Sequence, residues 1–188
     1  MNNMIEDLRE IGRSIIIAAL IFIILQFLIQ NYVVKGKSMF PNLEDGQRVL
    51  VNKFIYQRTI DFDKDYVGEG EEFIFGGPQI DEIVVFKSPH NYQKEALVKR
   101  IIGLPGDWVE IKDGVVLVNN NPLPSDFGFT SSISFDSKMK VPESMYFVLG
   151  DNRNHSNDSR LFGFISSENI IGRVWITYWP FPEFKVFG

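Results

Sequence analysis

The chain contains no cysteine and only two histidines, and both shortages exclude whole classes of site. Without cysteine it has no disulfide bond, no thiolate metal ligand and no cysteine nucleophile. His90 and His155 alone do not make a zinc site. The loop that starts at Asp151 does not match a calcium loop, because Ser156 and Phe162 stand where that loop needs glycine and glutamate. We therefore predict that the protein uses no metal ion and no cofactor.

Positive charge is scarce as well. The Lys and Arg residues number 19 against 24 Asp and Glu residues, which gives a net charge of −5. No basic run with interleaved aromatic residues is present, so the sequence argues against nucleic-acid binding. Residues 36–38, Gly-Lys-Ser, have the ending of a phosphate-binding loop. However, Asn31 stands where that loop needs its first glycine, and Pro41 stands where a helix should begin.

What the chain does have is a long apolar run near its N-terminus. Residues 14–34 contain no charged side chain, and every residue from Ile15 to Leu25 is apolar. A helix needs about 20 such residues to cross the core of a bilayer. A buried core helix would show a polar face along its length, and a cleaved signal peptide would end in small residues. This run has neither feature, so we predict a single retained transmembrane anchor over residues 14–34.

The charges around this run leave its orientation open. Arg9 and Arg13 precede it, and other basic residues follow it closely, namely Lys35, Lys37, Arg48 and Lys53. A count of positive charges would place the following domain in the cytoplasm. That rule loses its force for long translocated domains, so the count does not decide.

The rest of the chain has the pattern of a β protein. Short runs rich in β-branched and aromatic residues alternate with Gly, Pro and Asp. Their even spacing predicts a mainly β body of the sandwich or barrel type. Asp113-Gly114 suits the tight turn of a hairpin, and residues 57–80 and 119–140 are predicted to be loops. The predicted strands lie at 47–54, 82–87, 98–103, the two halves of 108–118, 145–149 and 173–178.

Polar residues interrupt this pattern in three stretches, at 36–41, 98–107 and 149–163. Ordinary turn chemistry is one explanation for them. Lys99 and Arg100, however, lie in an apolar strand, and the two-residue period of a strand directs one of them to the core. Burial lowers the pKa of a lysine and yields a neutral amine that accepts a proton near pH 7. Ser38 is a candidate nucleophile for such a base, and His155 is a rival base.

Taken together, the stretches resemble the type I signal peptidases, which are membrane-anchored serine proteases that remove signal peptides from exported proteins. The resemblance covers nearly the whole chain, in order, and includes the apolar run. Its motifs are GKSMFPNLEDGQRVLVNK from Gly36, DEIVVF from Asp81, VKRIIGLPGDWVEI from Val98 and VPESMYFVLGDNRNHSNDSRLFG from Val141. It implies a catalytic domain of twisted antiparallel sheets. It also implies that residues 1–13 are cytoplasmic and that residues 35–188 lie outside the cell membrane.

The resemblance further implies roles for individual residues. Ser38 would be the nucleophile, Lys99 the general base, and Ser156 the hydroxyl that orients the lysine amine. Two ion pairs that brace the site are also expected, Asp158 with Arg160 and Arg100 with Asp151. Met39 and Pro41 are expected to contact the substrate.

Three features depart from the family pattern. Gly36 stands where some members carry a serine whose hydroxyl joins the oxyanion hole, so the Ser38 N–H would carry more of that role. Asp81 stands where glycine is usual. The stretch between Asp107 and Pro142 is short, which predicts a small insertion around residues 112–141.

The resemblance implies an endopeptidase that cleaves preprotein signal peptides after small residues, at the surface of a lipid bilayer. A self-cleaving repressor of the same Ser/Lys type would need a DNA-binding segment instead of the anchor. The alternative from another class is a catalytically inactive, membrane-anchored β domain that only binds exported polypeptides.

Overall fold

A computed structural model describes residues 2–57, 73–89, 95–123 and 135–187. The predicted loops at 57–80 and 119–140 fall partly outside these ranges, and so does His90. The helices are Asn2–Leu28 (α1) and Ser159–Phe162 (α2). The strands are Ile29–Val33 (β1), Arg48–Asn52 (β2), Ile83–Lys87 (β3), Ala96–Gly103 (β4), Trp108–Lys112 (β5), Val115–Val118 (β6), Asn121–Pro122 (β7), Phe135–Lys140 (β8), Met145–Leu149 (β9), Ile165–Ser166 (β10), Ile170–Trp179 (β11) and Lys185–Val186 (β12).

The apolar N-terminal run forms a helix and then a strand. Within α1, residues Arg9–Leu28 have a mean hydropathy of 2.4 and none of that window is buried, so the helix is long and apolar enough to span a membrane. The helix ends at Leu28, earlier than the predicted boundary at residue 34. Residues Ile29–Val33 instead pair antiparallel with β2. Backbone pairing therefore ends the helix within a stretch that is still largely apolar.

Most strands belong to one antiparallel sheet, in the order β1-β2-β11-β3-β4-β9-β10, with β12 paired to β11. This confirms the prediction of a mainly β fold built from antiparallel sheets. The predicted strands at 47–54, 82–87, 98–103, 145–149 and 173–178 correspond to β2, β3, β4, β9 and β11. The first four residues of β3 are all buried, because this strand lies inside the sheet and is covered on both faces.

A second, smaller sheet has the order β7-β6-β5-β8 and lies where the small insertion was predicted. The hairpin of β5 and β6 turns at Asp113 and Gly114, whose φ angles of 51° and 79° confirm the predicted tight turn. Residues 135–140, predicted to be loop, form β8 and pair with β5. The sequence did not predict β8 as a strand, because only two of its six residues are apolar.

The buried hydrophobic residues form three clusters. The first contains Val34, Met39, Leu43, Val49, Val51, Ile83, Val85 and Val174, and joins the segment after β1 to β2, β3 and β11. The other two lie on either side of β4 and β9. Burying one aliphatic side chain of this kind is worth about 1.5–3 kcal/mol. The first cluster therefore holds the segment around residue 38 firmly against the sheet.

Candidate active site

Ser38 lies in the turn between β1 and β2, and its neighbours fix that turn. Met39 is 1% exposed and packs in the first cluster. Gly36 has a φ of +86°, a conformation that glycine adopts without strain. Its N–H donates a 2.7 Å hydrogen bond to Oδ1 of Asp45. The Ser38 side chain is therefore held in place from both sides while remaining partly exposed.

Lys99 reaches Ser38 from β4. Its Nζ donates hydrogen bonds of 2.8 Å to Ser38 Oγ and of 2.8 Å to the carbonyl oxygen of Val98. The residue is only 3% exposed. The Lys99 amine is thus kept from water and lies within proton-transfer distance of a hydroxyl.

Burial lowers the pKa of Lys99 from 10.5 to about 8. The negative charges of Asp158 and Asp151 oppose this shift but do not cancel it. A substantial fraction of the amine is therefore neutral slightly above neutral pH, as a general base requires. The rival base, His155, is exposed, and its Nδ1 lies 3.2 Å from Oδ1 of Asn152 rather than near Ser38.

Arg100, the neighbour of Lys99, is also buried, although the strand period directed only one of the two residues to the core. Its Nε and Nη2 donate to the two carboxylate oxygens of Asp151, at 2.7 Å each. Its Nη1 donates to Oδ1 of Asp81 at 2.8 Å. The two-carboxylate pairing compensates for the lost solvation of the guanidinium. Asp81 has a φ of 80°, which explains why glycine is usual there, and its contact with Arg100 offsets part of that strain.

The loop after β9 carries the second predicted ion pair. Arg160 donates from Nε and Nη2 to the two oxygens of Asp158, at 2.7 and 2.8 Å. Asp158 is completely buried, and its Oδ2 also accepts the N–H of Gly150 at 3.0 Å. The same loop reaches Ser38, because the N–H of Asn152 donates to the Ser38 carbonyl oxygen at 3.0 Å.

Ser156 lies next to this arrangement but does not bond to the lysine. Its Oγ is buried and has no hydrogen-bond partner within the part of the chain that the structure describes. The expected hydrogen bond to Lys99 is therefore absent from this conformation. Ser156 nevertheless packs against Gly150, where an added Cβ would lie 2.5 Å from Ser156 Cβ and 2.5 Å from the Ser38 carbonyl oxygen.

A groove of about 820 Å³ leads away from Ser38 and Lys99. One wall is the segment from residue 31 to residue 36, and the other is the segment from residue 95 to residue 98. The floor contains Val49 and Val85 of the first cluster. The groove is open enough for an extended polypeptide, whose backbone would run alongside the first residues of β4.

Comparison with known proteins identifies this arrangement. The family model for signal peptidase, peptidase S26, matches residues 8–179. The chain belongs to this family. Signal peptidase I of Bacillus caldolyticus is 37% identical over 172 residues, which cover 84% of each protein. Signal peptidase IB of Staphylococcus aureus strain Mu50 is 35% identical over an alignment of 199 residues, covering 96% of this chain and 94% of the relative.

Solved structures are similar as well. One of them is the crystal structure of a signal peptidase I from Enterococcus faecalis V583, which is 34% identical, covers 51% of this chain and 95% of that chain, and has a TM-score of 0.42. The family match confirms the resemblance read from the motifs. The chain is a serine endopeptidase of the signal peptidase type, and its substrates are the signal peptides of preproteins.

Two residues expected to contact substrate do not line the groove of this signal peptidase. Met39 is directed into the core, as described above, and Pro41 is exposed beyond the turn. Neither is among the groove residues. The expectation came from the resemblance, whereas in this fold Met39 packs in the first cluster and Pro41 is exposed outside the groove.

Several residues of the site were not predicted. Arg153 is 4% exposed and donates from Nε to the Gly150 carbonyl oxygen at 3.1 Å. Asn42 donates from Nδ2 to Asp151 at 3.0 Å. Glu95 lines the groove. The basic side chain of Arg153 within a polar loop was a weak sign, but no local pattern distinguishes it from an ordinary surface arginine.

Proposed function

We propose that this signal peptidase is a membrane-anchored enzyme that cleaves by means of a Ser38 nucleophile and a neutral Lys99 base. One observation carries the proposal: the Lys99 amine lies 2.8 Å from Ser38 Oγ and is almost completely shielded from water. In its neutral form the amine donates to the Val98 carbonyl oxygen and accepts the hydrogen of the Ser38 hydroxyl. That arrangement prepares the hydroxyl for attack.

In the first half of the reaction, Ser38 Oγ attacks the carbonyl carbon of the bond to be cut, and its proton passes to Lys99 Nζ. The resulting ammonium then gives a proton to the nitrogen of the leaving chain. The C–N bond breaks, the mature protein leaves with a free amine, and the signal peptide remains as an ester on Ser38. Lys99 is neutral again at this point.

In the second half, Lys99 takes a proton from a water molecule, which attacks the ester carbonyl. Ser38 Oγ leaves and regains a proton from Lys99, and the signal peptide is released as a carboxylic acid. The same amine thus serves as base and acid in both halves. The buried ion pair of Arg100 with Asp151 ties β4, which carries Lys99, to the loop after β9, and the pair of Arg160 with Asp158 braces that loop.

The negative oxygen formed at each attack needs hydrogen-bond donors. The Ser38 N–H is suited to this role, because it makes no hydrogen bond to any described part of the chain. Gly36 offers no side chain, and its own N–H is occupied by Asp45. We therefore assign the oxyanion principally to the backbone N–H of Ser38.

We further propose that α1 anchors the enzyme in the lipid bilayer, with the short N-terminal segment in the cytoplasm and the β domain outside. The support is the apolar window Arg9–Leu28, none of which is buried in the described chain. Because α1 passes directly into β1, the groove starts close to the end of the proposed span. A signal peptide that emerges from the same bilayer would need little travel to reach it.

The test uses the full chain in proteoliposomes and a preprotein whose signal peptide has small residues at the first and third positions before the cut. Wild type should release the mature protein, while Ser38→Ala should be inactive and Lys99→Ala slower by about 10²- to 10⁴-fold. Lys138→Gln, far along β8, is the matched control and should cleave normally. Equal cleavage by Ser38→Ala or Lys99→Ala would overturn the proposed dyad. Binding without cleavage by any form would favour the inactive binding domain.

A further inference from the structure

An ion pair links the two walls of the groove. Lys35 Nζ lies 2.8 Å from Glu95 Oε1, and both side chains line the groove. They are largely exposed, at 70% and 66%, so the bond does not hold the fold together. The hydrogen bond and the negative charge of Glu95 raise the pKa of Lys35, which favours the charged ammonium form of the lysine. Apart from Lys99, the other residues that line the groove have uncharged side chains.

The position of the pair can be expressed in residues of bound substrate. Glu95 lies just before β4 and precedes Lys99 by four residues, which corresponds to roughly 13 Å of extended chain. All the residues that line the groove on either wall precede Ser38 or Lys99 in sequence. The groove thus extends to one side of the reacting groups. Because an enzyme that acts on many preproteins must read the part they share, that side accommodates the signal peptide.

We propose that Lys35 and Glu95 form a charge filter, which favours uncharged residues at the fourth and fifth positions before the cleaved bond. The inference rests on the proposed function, because it takes Ser38 and Lys99 as the place of cleavage. It adds determinants beyond the small residues at the first and third positions.

The filter follows from the electrostatics of a preformed pair. An uncharged substrate residue leaves the pair intact. An acidic residue gains Lys35 only by drawing it away from Glu95, and it then lies beside a second carboxylate. A basic residue gains Glu95 only by drawing it away from Lys35, and it then lies beside a second positive charge. Removing one partner abolishes this balance: without Glu95, the free Lys35 favours acidic residues, and without Lys35, the free Glu95 favours basic ones.

The test measures kcat/KM for the full chain in detergent micelles, using peptides with alanine at the first and third positions. The fourth or the fifth position carries Ala, Asp or Lys, and each charged peptide is compared with the alanine peptide on the same enzyme. Wild type should prefer alanine by about two- to five-fold, as expected for an exposed pair. Glu95→Gln should raise the relative rate of the Asp peptides alone, and Lys35→Gln that of the Lys peptides alone.

Four controls sharpen this test. The exchange of both residues, Lys35→Glu with Glu95→Lys, should restore the wild-type ratios if the pair re-forms. All these differences should shrink in about 1 M salt, where the screening length is about 3 Å. Lys138→Gln, outside the groove, should show wild-type ratios. For peptides whose charge follows the cut, the rate relative to the alanine peptide should be the same in wild type and in the variants.

Several outcomes would overturn the inference. Unchanged ratios in both single variants would do so, as would a rise for both charges in either variant, or equal effects of charge before and after the cut. A wild-type enzyme that cleaves none of the peptides would overturn the proposed function and the filter with it. A cleaving, Ser38-dependent enzyme with unchanged ratios would overturn the filter alone.

Discussion

The backbone N–H of Asn152 donates a hydrogen bond of 3.0 Å to the carbonyl oxygen of Ser38. The bond ties the loop after β9 to Ser38, the proposed nucleophile, and the same loop contains the buried carboxylate of Asp158. Gly150 lies against this contact, with no room for a side chain. Correct placement of the hydroxyl thus depends on a loop more than a hundred residues further along the chain.

Gly150→Ala should disable the enzyme. The new Cβ would lie 2.5 Å from the Ser38 carbonyl oxygen and would also collide with Ser156, so the loop must move. We expect a loss of stability of about 1–3 kcal/mol from the overpacking. A displacement of 1 Å at the nucleophile would also lower kcat by about 10²-fold. Thermal unfolding and preprotein cleavage measure the two effects.

Gly12→Ala is the matched control, because a Cβ at Gly12 meets nothing within 4 Å. It should retain activity. If Gly150→Ala cleaved as fast as Gly12→Ala, the close approach of the loop to Ser38 would not matter for catalysis.

The pH dependence of cleavage should report the lowered pKa of Lys99. Because the base must be neutral, kcat/KM should rise with pH and level off above an apparent pKa of about 8. Below that value the rate should change about tenfold per pH unit. A profile that is flat from pH 6 to 9, or one that rises only near 10.5, would contradict the assignment of a buried neutral amine as the base.

The sequence singled out Lys99 and Ser38, which the structure brings to within 2.8 Å of each other, and the reasons are local. A lysine in an apolar strand is unusual, and the motifs around both residues are distinctive. The boundary between α1 and β1 was missed because Leu28 and Ile29 are both apolar, so hydropathy does not change where the backbone does. Pairing with β2, a contact between distant segments, determines that boundary.

The partners of the dyad were harder to predict than the dyad itself. Arg100 was expected to face away from the core if Lys99 faced it, yet two carboxylates from other segments allow both to be buried. Arg153 carries only a weak local signal, and Glu95 carries none, because Glu95 pairs with Lys35 from a distant segment. Side-chain identity therefore pointed to Ser38 and Lys99, whereas tertiary contacts determined the residues that surround them.

Replacing Lys99 should stabilise the protein at neutral pH while abolishing fast cleavage. The folded state holds this amine at a pKa of about 8 instead of 10.5, which corresponds to a cost of about 3 kcal/mol wherever the amine is protonated. The unfolded chain binds more protons between pH 8 and 10.5, so wild-type stability rises with pH across that window. Lys99→Met has no amine to protonate, so its stability does not include this cost.

The measurement compares the free energies of unfolding of wild type and Lys99→Met at a series of pH values. The variant should be more stable at pH 7, and its advantage should shrink as the pH rises from 8 towards 10.5. An advantage that stays constant with pH would mean that protonation of Lys99 costs the folded state nothing.

Arg160→Gln should be strongly destabilising. It would leave the Asp158 carboxylate, which is completely buried, without its opposite charge. Loss of one member of a buried pair typically costs about 3–5 kcal/mol. Glu95→Gln breaks an exposed pair and should cost less than about 1 kcal/mol. Thermal unfolding of both variants provides the comparison. Equal losses of stability would show that burial does not determine how much these pairs contribute to stability.

Gly36→Ser tests how the oxyanion is stabilised. Some members of the family carry serine at this position, and a new hydroxyl would be expected to speed cleavage if the backbone tolerated it. Here the φ of Gly36 is +86°, so a serine would cost about 1–2 kcal/mol in backbone strain. An added Cβ meets nothing within 4 Å, so the strain would come from the backbone alone. We therefore expect Gly36→Ser and Gly36→Ala to lower stability equally and neither to raise kcat. A gain in kcat for Gly36→Ser alone would show that its hydroxyl reaches the oxyanion, and the Ser38 N–H would then lose its place as the principal donor.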